Sequence, residues 1–298
     1  MSEQEPEMDN QHYRLFAYQP SLLLEIFFAV AFFCTMMLHT VQMIQSRSWF
    51  FLPFVLGGYF ECIGFVARAL LINLTYSWQL GLHITETLLL LLAPTLFAGS
   101  IYMTLTRIIR LTNGQKHSVL PVKWLTKIFV AGDLISFFLQ AAGGGLDAGA
   151  KTSEEEEWGR RLIISGLIIQ LVTFCLFIIH ASIFYIRMKR APTISSETLN
   201  TTWKRHLILL VGSSALIIIR SSFRLAEYII GSHGPLMKKE IFTILLDSVL
   251  MFLCMLLFNL FHPSQALNES SDYPSEIPIL ETGEKGLHSS RSSLDHNV

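Results

Sequence analysis

The sequence predicts an all-α membrane protein: a bundle of seven transmembrane helices, with the N-terminus outside and the C-terminus in the cytosol. Hydrophobic residues make up 51% of the 298 residues, and charged residues only 15%. Leu, Ile and Phe stand in long runs rather than in alternation with polar residues, which is typical of membrane-spanning helices and not of a soluble core. Lysine and arginine in the loops indicate the orientation.

Each of seven apolar segments has the ~20 residues that an α-helix needs to cross the hydrocarbon layer. The fifth carries no charge, whereas the fourth contains Asp133 and is followed by the glycines Gly143–Gly145. We predict spans at Pro20–Ile44, Phe50–Ile72, Thr85–Thr106, Trp124–Ala142, Leu162–Ile186, His206–Ile230 and Glu240–Phe261.

The positive charges are unevenly divided between the two sides of this arrangement. With the N-terminus outside, the inner segments carry thirteen lysines and arginines and the outer segments six. This follows the positive-inside rule, and the run Glu154–Glu157 after the fourth span suits an outer loop. The chain then divides into an acidic extracellular tail (1–19), a seven-helix transmembrane domain (20–262) and a disordered cytosolic tail (263–298) rich in Ser, Pro and Glu.

Ionisable residues inside the spans are the strongest functional signal, because each costs roughly 2.5–3.5 kcal/mol at the bilayer centre on insertion scales. Spacings of four and three place Arg220, Arg224 and Glu227 on one face of the sixth span. At ~1.5 Å per residue, most such groups lie between the midplane and the outer surface. We predict a polar cavity that opens outward, or sideways into the outer leaflet. Its site residues are Glu61, Arg68, Glu86, Asp133, Gln140, Gln170, Arg220, Arg224, Glu227 and Asp247.

A purely structural role is the alternative for any one of these residues. Interhelical ion pairs such as Arg224–Asp247 or Arg68–Glu86 would hold the bundle together without binding a ligand. Pro94 removes the backbone hydrogen bond to residue 90 and allows a kink, with either a shape or a gating role. The glycines Gly143–Gly145 allow close helix packing or a hinge.

The sequence favours no enzyme class. Four histidines, His39, His180, His206 and His262, share the inner side, which keeps a zinc hydrolase acting on lipid amides open as an alternative. No HxxxH or SxxxH occurs in a span, and the acids lie mostly at the other face. Since GxSxG and Walker motifs are also missing, we predict no catalytic residue, no cofactor and no metal. No basic surface with interleaved aromatic residues indicates nucleic acid.

Several motifs, in a fixed order, resemble those of one known family. They are GYFECIGFVAR around Glu61, APTLFAGSIYMTLTRIIR from Ala93, GDLISFFLQAAGGG from Gly132, GLIIQ ending at Gln170, and RSSFRLAEYIIG followed by KEIFTILLD ending at Asp247. Over residues 18–265 their order and spacing resemble the fungal lipid-translocating exporters, also called RTA-like proteins. The resemblance implies seven spans, a fungal source and a plasma-membrane site, with the vacuole or the endoplasmic reticulum as alternatives.

The family has members linked to export of sphingoid long-chain bases, resistance to toxic amphiphiles, and porphyrin or haem traffic. The resemblance and the polar residues together predict a translocator of lipids or amphiphiles such as sphingoid bases. Acidic groups would meet the cationic amine and apolar walls its tail, while the arginines tune the site or bind phosphate or carboxylate head groups. A mid-depth carboxylate, Glu61 or Asp133, is the candidate proton site.

A second function stays open beside transport. A seven-span, receptor-like sensor of membrane lipid asymmetry or stress would have the same topology and a ligand-sized outer cavity. The short inner loops, without a signalling module, favour transport. In both cases the partners are the amphiphile and the bilayer, and the oligomeric state is left open.

Overall fold

Seven helical segments of the chain are long and apolar enough to cross a membrane. The structure, a computed structural model, describes residues 21–73, 79–198, 202–230 and 240–262, and within these ranges it contains helices and turns but no strand. The seven-span, all-α prediction is confirmed. Both predicted tails lie outside the described residues. The orientation stays a prediction, and "outer" and "inner" below refer to it.

The spans begin and end close to the predicted positions, with α3, α4 and α5 longer than expected. The first four spans are α1 (Leu22–Gln45), α2 (Leu52–Asn73), α3 (Gln79–Leu111) and α4 (Val122–Gly149). They are followed by α5 (Ser153–Arg190), a short α6 (Ile194–Thr198) and the sixth span α7 (Thr202–Ile230). The last span consists of α8 (Glu240–Thr243), a π-helical turn (Ile244–Val249) and α9 (Leu250–Leu260).

Two expectations about the α4–α5 connection are wrong. The helix α4 continues through Gly143–Gly145 instead of ending at Ala142, and Glu154–Glu157 lie in the first turns of α5 rather than in a loop. The hydroxyl of Thr152 caps α5 by accepting a 3.3 Å hydrogen bond from the Glu155 amide. Acidic residues are favourable at such a helix N-terminus because the backbone dipole is positive there.

Close packing explains why the glycine run stays helical. A Cβ atom added at Gly143 would lie 2.6 Å from the Gly159 carbonyl oxygen, so only glycine allows α4 and α5 to approach this closely. The packing interpretation of Gly143 is therefore confirmed.

The spans pack in chain order around a ring. Each helix from α1 to α5 contacts the next, α5 contacts α7, α7 contacts α9, and α9 closes the ring on α1. The helix α3 also crosses the ring to contact α7 and is the most buried of the spans. Groups on α2, α3, α7 and the last span can therefore meet in the middle of the bundle.

Aromatic side chains fill the inner half of this ring. The Phe54 ring lies with its centroid 4.5 Å from those of Phe51 and Phe97 and 4.9 Å from that of Phe258, which joins α2, α3 and α9. All four rings are fully buried. This aromatic layer lies inward of Glu61, which follows Phe54 on α2 by about two helical turns.

Candidate functional site

Asp247 is the centre of a buried ion-pair cluster between α7 and the last span. Its Oδ1 atom lies 2.6 Å from Nε of Arg220, and its Oδ2 atom lies 2.7 Å from Nη2 of Arg224. Arg224 also reaches Glu227, with 3.0 Å between Nη1 and Oε2. We call these four residues the α7 cluster. It contains the expected Arg224–Asp247 pair and confirms that the three α7 residues share a face.

The backbone around Asp247 departs from a regular α-helix. Residues 244–249 form a π-helical turn, and Asp247 lies within it. A π-helical turn adds a residue to the helical repeat and redirects the side chains that follow; such turns are frequent at functional sites. The apolar periodicity of the last span does not reveal it.

Arg220 makes a second contact, with the backbone of α3. Its Nη2 atom donates a 2.9 Å hydrogen bond to the Leu90 carbonyl oxygen. Leu90 lies four residues before Pro94, which is inside α3 and has no amide hydrogen to offer this carbonyl. The guanidinium therefore occupies the acceptor that the proline leaves open, and it ties α3 to α7.

A second cluster joins the outer ends of α1, α2 and α3. The Nε atom of Arg68 lies 3.1 Å from Glu25 Oε1 and 3.6 Å from Glu86 Oε1. The Nδ1 atom of His83 lies 3.4 Å from Glu86 Oε2. We call Glu25, Arg68, His83 and Glu86 the α2 cluster. The expected Arg68–Glu86 pair is present, and Glu25 adds a second carboxylate to it.

Unlike the four acids of the two clusters, Glu61 forms no ion pair with a described residue. Its side chain is buried, with 2% of the residue exposed, and Oε1 has no hydrogen-bond partner among the described residues. It lies within electrostatic range of Arg220, Arg224 and Asp247, but the hydrogen bonds that both arginines donate go to other acceptors. Burying an ionised carboxylate without a partner is costly, so Glu61 is a place where a cation or a proton would be stabilised.

The two clusters and Glu61 carry more acids than arginines. Five carboxyl groups (Glu25, Glu61, Glu86, Glu227 and Asp247) accompany three guanidinium groups (Arg68, Arg220 and Arg224). Arg68 is within electrostatic range of Asp247, and we call the two clusters together with Glu61 and Tyr228 the network. Tyr228, which is half-buried, is within range of both Glu86 and Glu227.

Asp133 lies apart from this network, on the side of α4 that meets α3. The Tyr102 hydroxyl donates a 2.8 Å hydrogen bond to Oδ2 of Asp133. The Tyr102 ring is packed against Phe129 and Phe177, at centroid distances of 5.3 and 4.6 Å. Asp133 thus has its own hydrogen-bond donor, and that donor is held by aromatic rings outside the network.

Gln140 and Gln170 bond to each other between α4 and α5. Nε2 of Gln140 donates to Gln170 Oε1 at 3.1 Å and to Ser136 Oγ at 2.6 Å, and Ser136 Oγ donates to the Gly166 carbonyl oxygen at 2.7 Å. These contacts hold the two helices together. The structure therefore brings seven of the ten predicted site residues into one network and places Asp133, Gln140 and Gln170 elsewhere.

The predicted site residues leave out three members of the network, which are Glu25, His83 and Tyr228. Glu25 lies in the first turn of α1, where an acid suits the helix dipole, and only its burial, at 3% exposure, distinguishes it. His83 and Tyr228 are amphipathic residues at the outer ends of their helices. Tyr228 directly follows Glu227, which is the one signal that could have identified it.

Two of the four inner histidines contact backbone carbonyls of the last span or the residues after it, and His180 lies 3.4 Å from the Ser118 hydroxyl. Nε2 of His39 lies 3.0 Å from the Met255 carbonyl oxygen, and Nε2 of His206 lies 3.3 Å from that of His262. His262 follows the last span, and burial lowers its pKa to about 4. Within the described ranges, no group of three or more His, Cys, Asp or Glu residues is placed to hold a metal ion. The geometry thus gives the zinc alternative no support.

Comparison with known proteins places this chain in a family. Residues 54–270 match the family described as "RTA1 like protein". The chain is 36% identical over 208 residues to "Protein RTA1" of Saccharomyces cerevisiae, a match that covers 70% of this chain and 64% of that protein. It is 35% identical over 209 residues to the yeast "Protoporphyrin uptake protein 1", covering 70% and 67% of the two chains.

A more distant relative matches over a longer stretch. The yeast "Sphingoid long-chain base transporter RSB1" is 27% identical over 297 residues, covering 87% of this chain and 75% of that protein. No solved structure matches the chain. The chain spans about two thirds of the length of the first two relatives. On the family match and the seven spans, this chain is an integral membrane protein that belongs to the RTA1-like family.

Proposed function

We propose that the protein is a membrane transporter that moves amphiphiles with a cationic head group, of the sphingoid long-chain base type, across the plasma membrane. The observation that carries the proposal is the buried carboxyl group of Glu61, which has no hydrogen-bond partner among the described residues and lies in a network with more acids than arginines. One relative is named a sphingoid long-chain base transporter and another a protoporphyrin uptake protein, which supports transport of an amphiphile. No chemical step is assigned to the chain.

The arginines of the α7 cluster leave Glu61 as the acid that a ligand would meet. Arg220 and Arg224 are bound to Asp247, and Arg224 also to Glu227. A primary ammonium group would supply Glu61 with both a counter-charge and hydrogen-bond donors. Because Glu61 is already desolvated before the ligand arrives, removing water from this carboxyl group would not reduce the free energy of binding.

Flexible apolar side chains pack against α2 one turn before Glu61 and suit a hydrocarbon tail. Gly58 is one turn before Glu61 on α2, and a Cβ at Gly58 would lie 2.7 Å from Met255 Cε and 3.2 Å from Met36 Cβ. Methionine adapts to irregular apolar ligands because it is unbranched and polarisable. The head group and the tail would thus contact neighbouring parts of the same helix face.

We assign the proton site to Glu61 rather than to Asp133. The Tyr102 hydroxyl donates to Oδ2 of Asp133, so only Oδ1 of that residue lacks a partner among the described residues. Glu61 receives no hydrogen bond from a described residue. Since a single carboxyl group holds either a proton or an ammonium ion, the two would compete at Glu61. Movement of the amphiphile would then be coupled to proton movement in the opposite direction.

Reconstitution of the purified full-length protein in liposomes tests the proposal. A fluorescent sphingoid base should cross the bilayer faster than in protein-free liposomes, and a proton gradient should change its rate. An N-acylated analogue, which lacks the positive charge, should show no acceleration. The variant Glu61→Gln should reduce the rate to that of protein-free liposomes.

Equal rates with and without protein, at both settings of the gradient, would overturn the transporter proposal. Saturable binding of the base without movement would favour the sensor instead. A wild-type rate for Glu61→Gln would show that the head group binds elsewhere.

A further inference from the structure

Pro94 leaves one backbone carbonyl of α3 without its helical partner. In an uninterrupted α-helix the amide of residue 94 would donate to the carbonyl of Leu90. Proline has no amide hydrogen, and its ring presses against the carbonyl four residues earlier, which turns that carbonyl away from the helix axis. Nη2 of Arg220 donates to this same carbonyl at 2.9 Å.

Arg220 is consequently held by two contacts, one with the last span and one with α3. Its Nε lies 2.6 Å from Asp247 in the last span, and its Nη2 is bound to α3. The side chain is buried, with 3% exposed. A guanidinium is planar, so two contacts with different edges determine its orientation.

In this arrangement the contacts of Arg220 are with Asp247 and Leu90 and not with Glu61. Leu90 packs on α2 one turn from Glu61, because a Cβ added at Gly64 would lie 2.6 Å from Leu90 Cδ2, yet Glu61 Oε1 has no hydrogen-bond partner among the described residues. If the Leu90 carbonyl returned to its helical role, Nη2 of Arg220 would be a buried donor in need of another acceptor. Glu61, one turn from the point where Leu90 packs on α2, is a buried acceptor of opposite charge, and pairing would satisfy both groups.

We propose that Pro94 is a positioning residue: by presenting the Leu90 carbonyl to Arg220, it keeps that arginine off Glu61 and leaves Glu61 open to a cationic head group. The identity of the ligand rests on the proposed function, whereas the arrangement of Pro94, Leu90, Arg220 and Glu61 does not. The two can therefore be tested separately.

Chemical labelling of Glu61 tests the arrangement directly. Dicyclohexylcarbodiimide adds to carboxyl groups that carry a proton in apolar surroundings, and it does not react in the same way with a carboxylate bound to arginine. The full-length protein, purified in detergent, would be treated and the adduct at Glu61 measured by mass spectrometry. Wild type should be labelled. Pro94→Ala should lower labelling about tenfold, because a hydrogen bond to a charged group shifts an equilibrium by at least that factor.

Two variants serve as controls. Pro53 lies in the first turn of α2, where a missing amide hydrogen removes no helical bond, so Pro53→Ala should be labelled as wild type is. In the double variant Pro94→Ala/Arg220→Gln no arginine at position 220 remains to pair with Glu61, and labelling should recover. Alanine suits a helix better than proline, so Pro94→Ala should elute as a single symmetrical peak in size-exclusion chromatography.

Each other outcome contradicts the inference. Equal labelling of wild type and Pro94→Ala would show that the proline does not control access to Glu61. No labelling of wild type would show that Glu61 is not open. A double variant that stays unlabelled would show that Arg220 is not the group that shields it. The expected labelling in a protein that moves no sphingoid base would leave the positioning role intact and overturn only the transporter proposal.

Discussion

The Oδ1 atom of Asp247 lies 2.6 Å from Nε of Arg220, and this contact joins the π-helical turn of the last span to α7. The other oxygen of Asp247 binds Arg224 at 2.7 Å. One carboxylate thus serves two buried guanidinium groups. Glu61, at 2% exposure, serves none, so the two acids are expected to have different roles.

Asp247→Asn should destabilise the protein strongly. The substitution removes the counter-charge shared by Arg220 and Arg224, and removing one partner of a buried ion pair costs about 3–5 kcal/mol. Thermal unfolding in detergent should show a lower midpoint, with less protein reaching the membrane. Glu61→Gln is the matched control: it exchanges a carboxyl group without an ion pair for an amide and should unfold near the wild-type temperature. Similar losses in both variants would contradict the division of roles.

Arg68→Gln should cost more stability than Glu25→Gln. Arg68 is 3.1 Å from Glu25 and 3.6 Å from Glu86, so its removal leaves two buried acids close together, whereas loss of Glu25 leaves the Arg68–Glu86 pair. Part of the loss in Arg68→Gln should be recovered by adding Glu25→Gln, with a coupling of about 0.5–3 kcal/mol. Denaturation of the three variants in detergent measures this coupling. Strict additivity would mean that the α2 cluster is not energetically connected.

Gly143→Ala should loosen the packing of α4 on α5. The added methyl group would lie 2.6 Å from the Gly159 carbonyl oxygen and 2.8 Å from the Ile163 amide nitrogen, and such overpacking costs about 1–3 kcal/mol. Gly145 offers a control two residues away, since a Cβ there meets nothing within 4 Å. Gly145→Ala should be neutral or stabilise the helix by up to about 1 kcal/mol. Comparing the two melting temperatures tests this, and equal effects would contradict the close approach.

Tyr102→Phe should destabilise the α3–α4 contact by about 1–3 kcal/mol, the cost of leaving a buried acceptor without its donor. The phenyl ring keeps the packing against Phe129 and Phe177, so only the 2.8 Å hydrogen bond to Asp133 is lost. In an Asp133→Leu background the same substitution should have little effect, since the acceptor is gone. Unfolding of all four proteins provides the cycle. An undiminished effect of Tyr102→Phe in that background would show that the hydroxyl acts through another group.

Sequence periodicity predicted much of the α7 cluster but not its architecture. Spacings of four and three are enough to align Arg220, Arg224 and Glu227, because an α-helix repeats every 3.6 residues. The partner of Arg220 on α3 is a backbone carbonyl. Because every residue has one, the sequence does not show which carbonyl Arg220 contacts. Pro94 revealed the missing bond to residue 90, but only the packing of α3 against α7 shows which side chain takes its place.

Helix ends and depth explain the remaining differences. The glycines at 143–145 have poor helix propensity, and they stay helical because Gly143 packs against α5. Gln140, Gln170 and Asp133 were placed with the other polar residues by depth alone. Depth along the membrane normal does not specify the direction in which a helix face points, and the α4 face meets α5 and α3 instead of the network.

The sequence by itself determined that the chain spans a membrane seven times, that its intramembrane charges gather in one half of the bundle, and which family it belongs to. These properties follow from hydrophobic length, helical repeat and motif order, all of which are local or linear along the chain. Only the tertiary structure decided which charges neutralise one another and that Glu61 has no hydrogen-bond partner among the described residues. Pairing depends on the distances between side chains on helices that are far apart in sequence. A difference of a few ångströms decides whether a carboxylate is in an ion pair.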